Sequence, residues 1–369
     1  MRLDKLELRD FRNYESLSCS FSPGVNQILG ENAQGKTNLL EAVYYLSCGR
    51  AFRTRKEAEL IRFHADFAEL SCDVTGLERQ QNVRAVLFSG RKPRQLYLNG
   101  VRRKSMGELS GVLSTVLFCP EDLTVLKAGS AARRRFLDQA LCQLRPRYEA
   151  ACLEYNRILE QKSRILKDRF ENPALLEILP EYNARLCRVG AVLISYRARF
   201  FEALGKQAGE YHHRFSGGCE DFTMEYKTVS TVTDVMAPVS KLESDLLEHL
   251  NSHYRAELES AQCLTGPHKD DFEICLSGTP LKAYGSQGQT RTAAISLKLA
   301  QRELMKREFG EEPVLLLDDV LSELDPGRQD FVLNQIDSGQ VFITCCEPGR
   351  FTKIGKTINI NNGQWIIDN

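Results

Sequence analysis

The stretch Gly30-Glu31-Asn32-Ala33-Gln34-Gly35-Lys36-Thr37 narrows what this chain can fold into more than any other. It reads Gly-x-x-x-x-Gly-Lys-Thr, a pattern whose glycines let backbone N–H groups wrap a phosphate while the lysine neutralises it. Such a turn works only between a buried strand and the start of a helix, and both flanks comply. Val25-Asn26-Gln27-Ile28-Leu29 predicts a short strand. Leu39, Leu40, Ala42, Val43 and Leu46 recur at helical spacing before Gly49 stops the helix. The unpaired amides and dipole of that helix start converge on an anion. Lys36 is therefore predicted to meet the β- and γ-phosphates of a nucleotide, and the Thr37 hydroxyl to bind Mg²⁺.

Far along the chain, Val314-Leu315-Leu316-Leu317 runs into Asp318-Asp319. A buried strand that delivers a carboxylate beside the phosphate turn is what Mg²⁺ coordination needs. Asp318 is assigned to the metal, and Asp319 to orienting the attacking water. Between these motifs, Tyr284-Gly285-Ser286-Gln287-Gly288-Gln289 precedes a long helical pattern. Ser286 is a natural N-cap, and the neighbouring glycines leave amides exposed at the helix start, which predicts a second anion site.

The rest of the chain frames these three motifs. Apolar, β-rich runs fill the first 118 residues, among them Gln95-Leu96-Tyr97-Leu98 leading into Asn99-Gly100, a strong hairpin signal. From Ala131 to about Leu258 the pattern is helical, interrupted by a strand-like Asp221–Tyr226, and no heptad is sustained. Beyond Cys263 strands and helices alternate again: Asp271–Leu276, Gly288–Phe309, Pro313–Leu317, Pro326–Ile336 and Gln340–Thr344. Three segments result: a first lobe over 1–118, a helical insertion over 119–262 and a second lobe over 263–369. The phosphate turn and the paired acids lie in different lobes, so the two lobes must fold together.

Composition excludes little but is consistent. Hydrophobic content of 42% and charged content of 27% are those of a globular protein. No apolar run approaches the ~20 residues of a membrane span, and Met1-Arg2-Leu3-Asp4-Lys5 lacks a signal-peptide core. The twelve cysteines are scattered without a Cys-x-x-Cys pair, so they are expected to be reduced and cytosolic. With 49 basic and 49 acidic residues, net charge gives no argument for nucleic acid. Local basic clusters at Arg50–Lys56, Arg91–Arg94, Arg102–Lys104 and Arg133–Arg135 would form a phosphate footprint only if they shared a face.

Taken in order, the phosphate turn, Ser-x-Gly-Gln, the paired acids and Ser322-Glu323-Leu324-Asp325 resemble the motif set of ABC-type ATPases. Leu6-x-Leu8-Arg9-Asp10-Phe11-Arg12-Asn13-Tyr14, followed by Gly30 through Ala42, is similar to their SMC-type branch. Gly49-Arg50-Ala51-Phe52-Arg53, Pro120-Glu121-Asp122-Leu123, Arg134-Arg135-Phe136-Leu137-Asp138 and Gly266-Pro267-His268-Lys269-Asp270-Asp271 narrow it to the RecF family of bacterial recombination proteins. The resemblance implies an α/β ABC/SMC-type P-loop ATPase head, a mixed sheet with helices, carrying an inserted and mostly helical arm. It implies ATP and Mg²⁺ as cofactors and a weak DNA-stimulated ATPase of the cytoplasm, with no membrane. It further implies an ATP-dependent, head-to-tail homodimer in which the serine–glycine signature of one chain closes over nucleotide held by the other. Double-stranded DNA and single-/double-strand junctions, and RecR with RecO and RecA downstream, are the implied partners in recombinational gap repair.

The implied nucleotide contacts are Gly30, Glu31, Asn32, Ala33, Gln34, Gly35, Lys36, Thr37 and Asn38, with Arg12 on phosphate and with Ser286, Gly288 and Gln289 from the mate. Three departures from the wider ABC pattern argue against fast hydrolysis. Asp319 stands where glutamate is usual, no histidine follows His268 so that Thr344 is the nearest polar substitute, and Glu121 replaces the usual glutamine. His268-Lys269-Asp270-Asp271 reads either as a site or as a solvated turn before a strand. The alternative function, the nucleotide-binding subunit of an ABC transporter, would share the nucleotide motifs but leaves the helical insertion and the basic clusters unexplained.

Overall fold

The computed structural model describes residues 1–54, 56–77, 79–336, 338–346, 355–361 and 364–366. From the N-terminus come strands β1 (Arg2–Phe11), β2 (Tyr14–Ser20) and β3 (Val25–Leu29), then helix α1 (Lys36–Cys48). Strands β4 (Phe67–Gly76), β5 (Arg79–Phe88), β6 (Gln95–Leu98), β7 (Val101–Arg103) and β8 (Thr115–Phe118) follow. The helical stretch holds α2 (Ser130–Leu144), α3 (Pro146–Asp168), α4 (Leu179–Ser216), strand β9 (Phe222–Lys227), α5 (Val239–Ser252) and α6 (Tyr254–Ser260). The remainder is β10 (Asp271–Leu276), β11 (Thr279–Pro280), α7 (Leu281–Tyr284) and α8 (Gln287–Phe309). Last come β12 (Val314–Asp318), α9 (Pro326–Asn334), β13 (Val341–Cys345), β14 (Lys356–Asn361) and β15 (Gln364–Ile366).

These elements divide into two compact units, Met1–Leu123 with Lys298–Asn369, and Thr124–Leu297. The first unit holds two six-stranded sheets, one ordered β15-β14-β3-β13-β12-β8 and one ordered β2-β1-β4-β5-β6-β7. In the former, β8, β12, β13, β3 and β14 pair in parallel. Both of its faces are covered, so β8 and β12 are buried at every position and read as continuous apolar runs. The latter sheet is antiparallel, and β4 alternates buried and half-buried residues along its length. The Asn99-Gly100 turn closes β6 on β7 with positive φ at both residues (50° and 77°), the twist that a two-residue hairpin requires. Helix α1 lies in the core that both sheets share: Leu39, Leu40, Ala42, Val43 and Tyr45 are fully buried there. Each large apolar side chain so buried contributes roughly 1.5–3 kcal/mol.

Strands from both ends of the chain interleave in the parallel sheet, which is why the lobes cannot fold apart. β3 sits between β13 and β14, and β12 lies between β13 and β8. The register sets Asp318 opposite Thr344, and Thr344 opposite Ile28.

The second unit packs α4, a 38-residue helix, against α3 and α5. Cys187, Ala191 and Ile194 of α4 meet Leu242, Leu246 and Leu250 of α5 at helical spacing. This unit runs to Leu297, whereas the sequence suggests that the insertion ends at 262. The reason is pairing: β10, expected in the second lobe, joins β9 from Asp271↔Lys227 to Leu276↔Phe222. The closing hairpin of β14 and β15 was not anticipated from the sequence at all. No helix among the described residues is long and apolar enough to cross a membrane.

Candidate nucleotide site

The phosphate turn emerges from β3 and enters α1 with Lys36 as its first helical residue. Its two motif glycines are required by space. A Cβ on Gly30 would sit 2.4 Å from the Ile360 carbonyl oxygen, and one on Gly35 would sit 2.7 Å from Asn13 Nδ2 and 2.9 Å from the Tyr14 hydroxyl. Gly35 also has φ 116°, and Ala33 has φ 66°. The Lys36 ammonium curls over the turn, donating to the carbonyls of Gly30 (2.5 Å) and Glu31 (2.9 Å), with Cys346 Sγ at 3.6 Å. Cys346 in turn lies 3.0 Å from Asn32 Oδ1.

The β1–β2 turn braces the phosphate turn from the side. Asn13 Nδ2 donates to Gln34 O (3.1 Å), the Tyr14 hydroxyl donates to Gly35 O (2.9 Å), and Asn38 Nδ2 donates to Asn13 Oδ1 (2.8 Å). Arg53 Nη1 completes the ring by donating to Asn38 Oδ1 (2.8 Å). Arg12, at φ 54°, turns its guanidinium onto fully buried Glu41 (2.8 Å) and onto the Glu59 carbonyl (2.7 Å). Two of its three nitrogens are thereby committed beside the turn.

Across the sheet, Thr37 Oγ1 donates to Asp318 Oδ1 at 2.9 Å, although 281 residues separate them. One hydroxyl and one carboxylate together could hold Mg²⁺, with the remaining ligands left to water and phosphates. Among the described residues no group of three or more His, Cys, Asp or Glu could hold a metal on its own. Burial raises the Asp318 carboxyl above the usual carboxylate range. Hydrogen bonds from Thr37 and Thr344 oppose that rise, and the charge of Asp319 adds to it. Thr344, 2% exposed, uses its hydroxyl twice: it donates to Asp318 Oδ1 (3.0 Å) and accepts from the Asp319 N–H (2.8 Å). Asp319 itself is half-buried at φ 52°. Thr344 therefore stands behind the two acids and fixes them, a place the sequence did not reveal when it offered this residue as a stand-in for a histidine.

The second unit carries Ser286, Gly288 and Gln289 at the start of α8. Ser286 is exposed, and its Oγ accepts from the Gln289 N–H (3.1 Å) while Gln289 Oε1 accepts from the Ser286 N–H (2.9 Å). This reciprocal pair is a capping box. The Gly288 carbonyl accepts from the Thr292 hydroxyl at 3.0 Å.

Several charged stretches turn out to be internal ties. Asp270, 1% exposed, accepts from Arg197 (3.1 Å), from Thr228 (2.6 Å) and from the Tyr226 hydroxyl. Arg197 also grips Asp138 through Nε (3.0 Å) and Nη2 (3.1 Å). His268 bridges the Tyr155 hydroxyl (2.7 Å) and the Cys263 carbonyl (3.0 Å), and burial lowers its pKa to about 4. His268, Asp270 and Asp271 are thus tied to the rest of the second unit, while Lys269 between them is exposed. Of the basic clusters, Arg133 is 2% exposed and forks onto Asp271 (2.6 and 2.8 Å), and Arg134 donates to the Asp270 carbonyl (2.5 Å). Arg94 reaches Glu57 at 2.5 Å and Gly49 O at 2.6 Å. None of these three belongs to an outward phosphate footprint. Arg55 lies outside the described residues.

Comparison with known proteins gives the family. The model of the RecF/RecN/SMC N-terminal domain family matches residues 2–366. A DNA replication and repair protein RecF from Acetivibrio thermocellus is 37% identical over 351 residues, covering 95% of each chain. Another from Lachnospira eligens is 37% identical over 375 residues, covering 100% of both. Among solved structures, the recombination mediator protein RecF with ATP, of the RecFOR pathway, superposes with a TM-score of 0.90 at 31% identity. That likeness covers 100% of this chain and 97% of the other. An Smc head domain from Pyrococcus furiosus reaches a TM-score of 0.55 at 16% identity, a likeness of fold alone. On matches of this length and identity, the chain belongs to the RecF/RecN/SMC family and, within it, to the RecF proteins.

Proposed function

We propose that this ATP-binding DNA-repair protein is a nucleotide-gated clamp. ATP binding drives two copies together head to tail on double-stranded DNA or at single-/double-strand junctions, and slow hydrolysis releases them, assisting RecR and RecO in loading RecA. The observation that carries the reading is the 2.9 Å pairing of Thr37 on the phosphate turn with Asp318 at the end of β12. It supports the reading because a hydroxyl and a carboxylate side by side are what a magnesium nucleotide needs from the protein. Thr37 and Asp318 would hold Mg²⁺ and, with Arg12 and the turn amides from Gly30 to Asn38, the phosphates. Bound Mg²⁺ would neutralise the developing charge on the transferred phosphoryl group.

The remaining roles belong to this chain's own side chains. Lys36 leaves the carbonyls of Gly30 and Glu31 for the β- and γ-phosphates. Asp319 orients the attacking water, on an arm one methylene shorter than glutamate, which favours a weak, DNA-stimulated ATPase over a fast one. Ser286, Gly288 and Gln289 complete the mate's site. Ser286 is suited to this because it is exposed and its oxygen accepts from the Gln289 N–H, leaving its O–H available to donate. The same reading places the protein in the cytoplasm, away from membranes. The DNA-repair relatives disfavour a transporter subunit.

Sizing in solution with and without Mg-ATP tests this, using wild type and Ser286→Arg. Wild type dimerises only with Mg-ATP; the variant stays monomeric yet still binds nucleotide. A variant that dimerises like wild type refutes the trans arrangement. Equal duplex-DNA affinity with ATP, ADP and a non-hydrolysable analogue refutes the gating.

A further inference from the structure

We propose that Glu220, in the short link between α4 and β9, is a positioning residue for the signature turn at the start of α8. Its carboxylate fixes which end of the Gln289 amide faces Ser286. The inference rests on the trans role of Ser286 proposed above. Gln289 Nε2 donates to Glu220 Oε1 at 2.7 Å, and His212 Nε2 meets Glu220 Oε2 at 2.8 Å. Gln289 Oε1 accepts from the Ser286 N–H at 2.9 Å, and the Gln289 N–H donates to Ser286 Oγ at 3.1 Å. All four residues belong to the second unit.

The chemistry of the donors dictates the direction. An ionised carboxylate only accepts, so it admits the NH₂ end of Gln289 and rejects the carbonyl end. The carbonyl is thereby turned to the Ser286 N–H, which closes the capping box. With its own oxygen accepting from the Gln289 N–H, Ser286 keeps its hydroxyl proton to donate outward. The hydrogen bonds from Gln289 and His212 in turn hold the Glu220 carboxyl below the usual carboxylate range, despite partial burial.

His212 locks the far side of Glu220. It is fully buried in the last turns of α4 with its ring 5.2 Å from that of Phe222, and its Nδ1 has no hydrogen-bond partner. A buried N–H without an acceptor is costlier than an unused lone pair. Nε2 is therefore the ring nitrogen that donates to Glu220. Hydrogen bonds thus converge on Glu220 from both His212 and Gln289, and through the capping box they tie the end of the long arm helix to the signature serine.

Glu220→Gln keeps the shape and removes the direction, because an amide at this position accepts either end of Gln289. The expected result is an ATP turnover at least about tenfold lower and weaker ATP-driven dimerisation, with nucleotide affinity of the monomer unchanged. The variant retains an intact phosphate turn, so mixing it with Lys36→Ala, which retains an intact signature, builds one sound composite site per mixed dimer. Turnover of that mixture rises above either variant alone. Were Glu220 merely structural, Glu220→Gln would lower nucleotide affinity and thermal stability, and the mixture would show no recovery. Wild-type turnover in Glu220→Gln overturns the proposal outright. A parallel mixture of Lys36→Ala with Ser286→Arg separates the two levels: recovery there with none for Glu220→Gln defeats only this inference, and no recovery there defeats the trans reading with it.

Discussion

Thr344→Val is the sharpest probe of how the two acids are held. Valine keeps the shape of threonine and removes one hydroxyl, whose two shorter bonds, at a position 2% exposed, go to the paired acids. One is donated to the Asp318 carboxylate at 3.0 Å, and the other is accepted from the Asp319 N–H at 2.8 Å. Losing a bond to a charged acceptor, and leaving a part-buried N–H unpaired, together cost about 2–4 kcal/mol. The loss falls on Asp319 in particular, since its backbone sits at φ 52°, a region that costs a non-glycine residue about 1 kcal/mol or more unless its surroundings enforce it. The hydroxyl bonds the two acids rather than supplying the phosphate turn, so nucleotide affinity is expected to stay near wild type while turnover falls by roughly 10- to 100-fold. Denaturant melts, nucleotide titration and steady-state ATP turnover measure the three quantities separately, and Thr344→Ser restores all of them. If serine is as poor as valine, the methyl group and not the hydroxyl matters; if valine turns over like wild type, the brace is dispensable.

Three further outcomes follow from other parts of the molecule. Gly35→Ala forces a Cβ to within 2.7 Å of Asn13 Nδ2 at φ 116° and abolishes nucleotide binding, read by calorimetry, while the melting profile moves by about 1–3 kcal/mol. Arg197→Met leaves buried Asp270 with Tyr226 and Thr228 but no cation, and destabilises the second unit by about 3–5 kcal/mol in urea unfolding. His268, with its pKa lowered to about 4, binds its proton in the unfolded chain before the folded one. Stability therefore falls as pH drops from about 6.5 towards 4, by up to about 3 kcal/mol, and His268→Gln flattens that part of the profile.

What the sequence disclosed was whatever a local rule governs. The phosphate turn, the apolar run into Asp318 and Asp319, the Asn99-Gly100 hairpin and the serine-capped helix each depend on residues within a few positions of one another, and all stand where their patterns put them. Interleaving of the chain ends was also legible, because one metal site had to draw on both. Pairings without a local signature were not. Nothing in Phe222–Lys227 or Asp271–Leu276 says that the two strands are partners, so the insertion was expected to end 35 residues before Leu297. Arg133 and Arg134 look like surface charge until Asp271 and the Asp270 carbonyl, 136 or more residues away, take them inward.

The same blindness explains the least expected part of the site. The sequence has no histidine from β13 onward, and position alone points to Thr344 as the nearest polar residue. Register supplies the missing fact: β12 and β13 run parallel with Asp318 opposite Thr344, so the threonine's hydroxyl faces its neighbouring strand and is used up there. A hydroxyl that both accepts from Asp319 and donates to Asp318 has nothing left to offer a γ-phosphate. Asp319, proposed to orient water, has a shorter arm than glutamate and a backbone N–H held by Thr344, with no histidine from β13 onward. On the proposed trans arrangement, the mate's side then carries more of the catalysis, so the orientation of Ser286 and the Glu220–Gln289 contact beside it are where turnover is expected to respond most.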